Sequence, residues 1–99
     1  MPNRDSLITR LRSEAEEFRK IAPRVQWYLF GSYSRPESAT TASDVDILIV
    51  FPESNRSDVI SLHDKLAQDF RLQDLDVTLL TDEEERSLQF IRHERAVAL

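Results

Sequence analysis

Apolar side chains recur at helical spacing in two separate stretches of the chain. The first stretch covers residues 5–21 and is followed by Pro23, and the second covers residues 57–70. In both stretches apolar residues return every three or four positions, while charged residues fill the opposite face. The pattern predicts two amphipathic helices, each of which packs one face on a core.

Three shorter stretches have the composition of β-strands. Residues 25–30 are rich in branched and aromatic side chains and end at Gly31. Residues 44–51 begin with alternating aspartates and then become apolar throughout, as in a central strand that is buried on both faces. Residues 75–80 are predicted to form a third strand. After it, Thr81 and Glu84 predict a capping box at the start of a last helix that continues to about Glu94.

These elements predict an α/β fold. Their order is helix, strand, short helix, strand, helix, strand, helix, where the short helix or turn opens at Gly31-Ser32 and residues 36–43 form a polar loop. The helix between the second and third strands is long enough for a right-handed crossover between parallel strands. We therefore predict a small mixed sheet of three or more strands flanked by helices, in a single domain over residues 1–99.

Composition and charge narrow the range of functions. Hydrophobic residues make up 40% of the chain and charged residues 31%, which is a globular composition. The chain has no cysteine, so disulfides, cysteine-zinc sites and thiol catalysis are excluded. The net charge of −5 and the lack of a dense basic cluster argue against long nucleic acid as the main ligand. No apolar run suggests a leader or a membrane span, so we expect a cytoplasmic protein.

Three aspartates are candidates for one functional site. Asp44 and Asp46 are two positions apart at the start of the second strand, so their side chains point to the same face. Asp76 lies near the start of the third strand, where Asp74 is a competing candidate. Asp76 is favoured because it abuts the apolar part of the strand. Parallel neighbouring strands would bring Asp44, Asp46 and Asp76 together at one end of the sheet.

Carboxylates held this close repel one another unless a cation lies between them. Mg²⁺ suits such a cluster because it takes oxygen ligands and keeps positions open for substrate phosphates. Two ions about 4 Å apart could activate an attacking hydroxyl and stabilise a leaving oxygen. If the first two strands are antiparallel, the Gly31-Ser32 turn lies at the same end. There the glycine would permit close approach of a phosphate, and Arg35 could add a charged contact.

Simpler interpretations stay open for these residues. Asp44 and Asp46 could end a surface turn, although an aspartate directly before an apolar strand risks desolvation without a partner. Gly31 could merely end a strand, as glycines often do. Arg35 fits a phosphate contact and a solvated surface position equally well.

The order of these motifs resembles the signature of the DNA polymerase beta nucleotidyltransferase superfamily. The similarity rests on Gly-Ser within residues 30–35 (FGSYSR) and on Ser-Asp-x-Asp at the head of residues 43–50 (SDVDILIV). The short chain is similar to the minimal nucleotidyltransferase (MNT) branch, and residues 75–81 and 94–99 resemble that branch's third-carboxylate strand and C-terminus. The chain departs from the pattern in two places. Pro36 follows Arg35 where glycine is common, and the loop to Ser43 is slightly longer.

The resemblance implies a role for each site residue. Asp44 and Asp46 would hold both Mg²⁺ ions. Asp76 would complete the catalytic metal site and orient the acceptor hydroxyl, acting as its base. The residues implied in nucleotide binding are Gly31, Ser32, Arg35 and Ser43.

The implied reaction is transfer of a nucleoside monophosphate, AMP from ATP, to a hydroxyl acceptor. Proteins similar to this one often pair with a HEPN-domain toxin, which implies an antitoxin role and a HEPN-type protein partner. Two alternatives stay open. One is a non-catalytic module that neutralises its partner by contact alone. The other is a small-molecule nucleotidyltransferase of the aminoglycoside type, in which a partner or a homo-oligomer completes the acceptor site.

Overall fold

The computed structural model of the chain describes residues 4–31, 45–70 and 75–99. Within these ranges the elements are, in order, α1 (Arg4–Ile21), β1 (Gln26–Phe30), β2 (Val45–Phe51), a 3-10 turn (Glu53–Asn55), α2 (Arg56–Phe70), β3 (Leu75–Thr81), α3 (Asp82–Leu88), α4 (Phe90–Glu94) and β4 (Val97–Ala98). The two long predicted helices and the three predicted strands are all present. The predicted short helix after Gly31 and the loop 36–43 lie outside the described residues. None of the described helices is long and apolar enough to cross a membrane.

The strands form one mixed sheet in the order β3-β2-β1-β4. β1 pairs with β2 in antiparallel orientation, and β2 pairs with β3 in parallel orientation, with α2 as the crossover between them. The predicted mixed α/β fold is therefore confirmed. The fourth strand was not predicted, because Val97–Ala98 is too short to show an alternating pattern. It pairs with β1 through Leu29 and Tyr28.

The sheet supports a different core on each of its faces. On one face α1 and α2 cover the larger core, to which β2 contributes Val45, Ile47, Ile49 and Phe51. On the opposite face a smaller cluster consists of Leu48, Val50 and Leu80, packed with Tyr28, Phe30, Phe90 and Ile91. Because successive strand residues alternate between faces, the intervening even-numbered positions of β2 and β3 belong to this second face.

The end of the chain departs from the predicted single helix. The capping box at Thr81 is confirmed, since its hydroxyl accepts from the Glu84 N–H at 3.1 Å and the Glu84 carboxylate accepts from the Thr81 N–H at 2.8 Å. The prediction of one helix to Glu94 is wrong, because Gln89 adopts a left-handed conformation (φ 53°) that separates α3 from α4. Glu85 bridges the break: its carbonyl accepts from the Gln89 N–H and its carboxylate from the Ile91 N–H.

Candidate active site

Asp46 and Asp76 lie side by side where β2 and β3 begin. They are direct partners in the parallel register of the two strands. Neighbouring strands are about 4.8 Å apart, and paired residues point to the same face, so the two carboxylates share one small region of the surface. Asp46 is half-buried and Asp76 is exposed. The pairing brings together two of the three predicted carboxylates, on the face that carries the smaller core.

Gly31 lies against the carboxylate of Asp46. β1 runs antiparallel to β2 and its last residue, Phe30, pairs with Asp46, so the chain leaves β1 beside that carboxylate. A Cβ atom at Gly31 would overlap Asp46 Oδ2 and lie 3.2 Å from its Cγ. Gly31 also has φ +75°, a conformation that other residues rarely adopt. Glycine is therefore required here both by the backbone and by the space that the carboxylate fills.

Five residues considered for the site lie outside the described residues, namely Ser32, Arg35, Ser43, Asp44 and Asp74. Their roles stay predictions. The structure thus brings Gly31, Asp46 and Asp76 together.

The two described carboxylates suit a magnesium ion. Mg²⁺ is commonly held by one or two carboxylates, with water and substrate phosphates in the other positions. Asp46 and Asp76 provide such hard oxygen ligands on one face, and the absence of a side chain at Gly31 lets the chain pass directly beside the carboxylate of Asp46. Within residues 4–31, 45–70 and 75–99, no group of three acidic or imidazole side chains forms a metal site. The third predicted ligand, Asp44, is not among these residues.

An aromatic pair beside the carboxylates was missed in the sequence. Phe30 extends the row of Asp46 and Asp76 onto β1. Its ring is 5.0 Å from that of Phe90, centroid to centroid, with the planes at 90°. The aromatic character of residues 25–30 predicted only a strand, and Phe90 was predicted to lie within one continuous helix. The helix breaks before Phe90 at Gln89. Because this residue is not a glycine, the sequence does not indicate its left-handed conformation.

Comparison with known proteins agrees with this geometry. A family model described as a nucleotidyltransferase domain matches residues 10–99, nearly the whole chain. The chain therefore belongs to the nucleotidyltransferase domain family, and nucleotidyl transfer is its general role. Neither the curated proteins nor the solved structures gave a match.

Proposed function

We propose that this chain transfers the AMP moiety of ATP to a hydroxyl group, as a member of the minimal nucleotidyltransferase branch. The observation that carries the proposal is the pairing of Asp46 with Asp76 beside Gly31. In the reaction, the acceptor oxygen forms a bond to the α-phosphorus. The bond from that phosphorus to the oxygen that bridges it to the β-phosphate breaks, and pyrophosphate leaves with the electron pair. The acceptor's proton passes to the carboxylate of Asp76.

We assign two Mg²⁺ ions to Asp46, Asp76 and Asp44. When bound, the ions neutralise charge around the α-phosphate and make the attacking hydroxyl more acidic. The chain's own groups position the reactants, and Gly31 holds the chain connection after β1 beside the carboxylate of Asp46. The remaining proposed triphosphate contacts are Ser32, Arg35 and Ser43.

The position of Asp76 favours a bulky acceptor. Within the described residues β3 is an edge strand of the sheet, and Asp76 is exposed on it. A large molecule can therefore reach this carboxylate from the edge.

From the resemblance to the minimal nucleotidyltransferase branch, we propose a HEPN-type protein as this acceptor and an antitoxin role for this chain. In this proposal residues 1–99 act as a catalytic domain in the cytoplasm, and the partner supplies the acceptor surface.

The test uses ATP labelled at the α-phosphate, Mg²⁺ and an extract of the native host. Three proteins are compared: the unaltered chain, Asp46→Asn and Asp64→Asn. Asp64 is exposed on α2, which packs on the other face of the sheet, so this variant controls for loss of one negative charge. We expect the unaltered chain and Asp64→Asn to label a protein band, and Asp46→Asn to lose on the order of a thousandfold in rate.

The same experiment separates the alternatives. Label on a small molecule instead of a protein would support the aminoglycoside-type reaction. A third outcome is that none of the three proteins transfers label, while Asp46→Asn still binds the partner as tightly as the unaltered chain. That outcome would identify the chain as a binding module without catalysis.

A further inference from the structure

The row of residues that carries the carboxylates continues into the aromatic pair. Across the sheet the order is Asp76 on β3, Asp46 on β2 and Phe30 on β1. Phe30 thus lies on the side of Asp46 that faces away from Asp76. Phe90 of α4 packs against Phe30, and both rings are half-buried. Asp76 on β3 therefore lies on one side of Asp46, and the aromatic pair lies on the other side.

The chain around Phe90 is held in an uncommon conformation. Gln89, immediately before it, has φ 53°, which is unfavourable for a residue with a side chain. Glu85 stabilises the turn by accepting from the Gln89 N–H at 2.7 Å and from the Ile91 N–H at 3.3 Å. Such conformations persist where the surroundings impose them, and they cluster at ligand sites. Here the turn starts α4 at the residue that contacts Phe30.

Phe30 and Phe90 pack on the smaller core, and each is only partly buried, so a part of each side chain is exposed. In an edge-to-face pair, the ring that presents its edge keeps both of its faces clear of its partner. Nucleic-acid bases stack on such faces in many proteins without sequence preference, because every base has a π-face. Phe30 is the direct neighbour of Asp46, so a nucleotide whose phosphates reach Asp46 carries its base close to these rings.

We propose that Phe30 and Phe90 form a stacking subsite for the nucleobase of the nucleoside triphosphate. This inference rests on the proposed function and adds to it the place of the base. The nucleotide then lies across β1 and β2, while the acceptor approaches from β3. Stacking favours the larger purine ring over a pyrimidine.

Calorimetric titration tests the subsite with two ligands, ATP and inorganic tripolyphosphate, each with Mg²⁺. Phe90→Leu keeps an apolar side chain on the smaller core but removes the ring, and Phe90→Tyr keeps the ring. We expect Phe90→Leu to bind ATP about tenfold more weakly than the unaltered chain and to bind tripolyphosphate equally well. Phe90→Tyr should bind both ligands as the unaltered chain does. Thermal unfolding of each variant checks that it is folded.

Other outcomes overturn the subsite in distinguishable ways. Equal ATP affinity in Phe90→Leu and the unaltered chain would overturn it and leave the proposed function intact. A parallel loss for ATP and tripolyphosphate would show that Phe90 acts only through the fold. If the unaltered chain binds neither ligand, the proposed function fails as well.

A second measurement needs no variant and therefore stands if Phe90→Leu does not fold. The unaltered chain is titrated with ribose 5′-triphosphate, which lacks the base. The subsite requires this ligand to bind about tenfold more weakly than ATP, and equal affinities would overturn it.

Discussion

The carboxylate of Asp46 occupies the space that a side chain at Gly31 would need. A Cβ atom there would overlap Asp46 Oδ2 and lie 3.2 Å from its Cγ, while the Asp46 Cβ is at an ordinary 3.5 Å. A side chain at Gly31 would therefore clash with the carboxylate group of Asp46 and not with the backbone of β2. The chain connection after β1 and the carboxylate on β2 depend on each other.

Gly31→Ala is expected to destabilise the protein by about 2 kcal/mol, because of its positive φ and the overlap with Asp46. In an Asp46→Ala background the overlap disappears and only the backbone penalty of about 1 kcal/mol is left. Urea unfolding of the four proteins measures both values. The same penalty in both backgrounds would show that the carboxylate is not the cause.

The like charges of Asp46 and Asp76 predict a dependence of stability on divalent cations. Carboxylates directly opposite each other weaken strand pairing, so Asp76→Asn should stabilise the chain in EDTA by about 0.5 kcal/mol. The proposed Mg²⁺ site exists only in the folded state, so Mg²⁺ should raise the melting temperature of the unaltered chain more than that of Asp76→Asn. Asp64→Asn should show the full Mg²⁺ effect. An equal rise in Asp76→Asn would argue against a metal at this pair.

The capping box between Thr81 and Glu84 connects the end of β3 to α3. Thr81→Ala removes the hydroxyl that accepts from the Glu84 N–H and is expected to lower the free energy of unfolding by about 1 kcal/mol. Thr81→Ser keeps an acceptor and should lose less than half of that value. Denaturant titration distinguishes these results, and equal losses would assign the effect to the buried methyl group instead.

The left-handed conformation of Gln89 predicts opposite effects of two substitutions. Gln89→Gly relieves the backbone penalty, which offsets the greater flexibility of glycine in the unfolded chain, so stability should not fall. Gln89→Val should destabilise by about 1–2 kcal/mol, since a β-branched residue is unfavourable at positive φ. The difference between their melting temperatures is the quantity to measure. No difference would mean that the break between α3 and α4 is absent in solution.

Arg56 holds the pKa of Glu53 below its ordinary value through side-chain hydrogen bonds of 2.5 and 2.8 Å. A carboxylate with a lowered pKa contributes stability above its ordinary pKa and loses it as the pH falls through the lowered one. Arg56→Leu should therefore return the pKa of Glu53 toward the ordinary value, as an NMR titration would show. Both side chains are at the surface, so high salt should weaken the effect.

Sequence patterns predicted those parts of the fold that depend on local periodicity. The apolar run of residues 44–51 predicted the central strand, and a helix of sufficient length predicted the parallel crossover that sets Asp46 beside Asp76. The prediction that parallel neighbouring strands bring Asp46 and Asp76 together is confirmed for these two carboxylates.

Features that depend on tertiary contacts could not be predicted in this way. The contact between Gly31 and Asp46 requires the register of two antiparallel strands, which no local pattern specifies. The turn at Gln89 is stabilised by hydrogen bonds to Glu85 against the local preference of glutamine. Val97 pairs with Leu29, about seventy positions earlier in the chain. A strand of two residues is too short for its sequence to predict such a distant pairing.

Strand β2 contributes side chains to the cores on both faces of the sheet, so its register with the neighbouring strands cannot shift by a single position. In β2, Ile47 and Ile49 belong to the core under α1 and α2, while Asp46 and Leu48 occupy the alternate positions. Inserting or deleting one residue inside Val45–Phe51 would exchange the two sets, placing a carboxylate among buried side chains and turning isoleucines toward Asp76. Natural changes in chain length should therefore accumulate outside this strand, whose seven residues should tolerate exchange of side chains better than a change in their number.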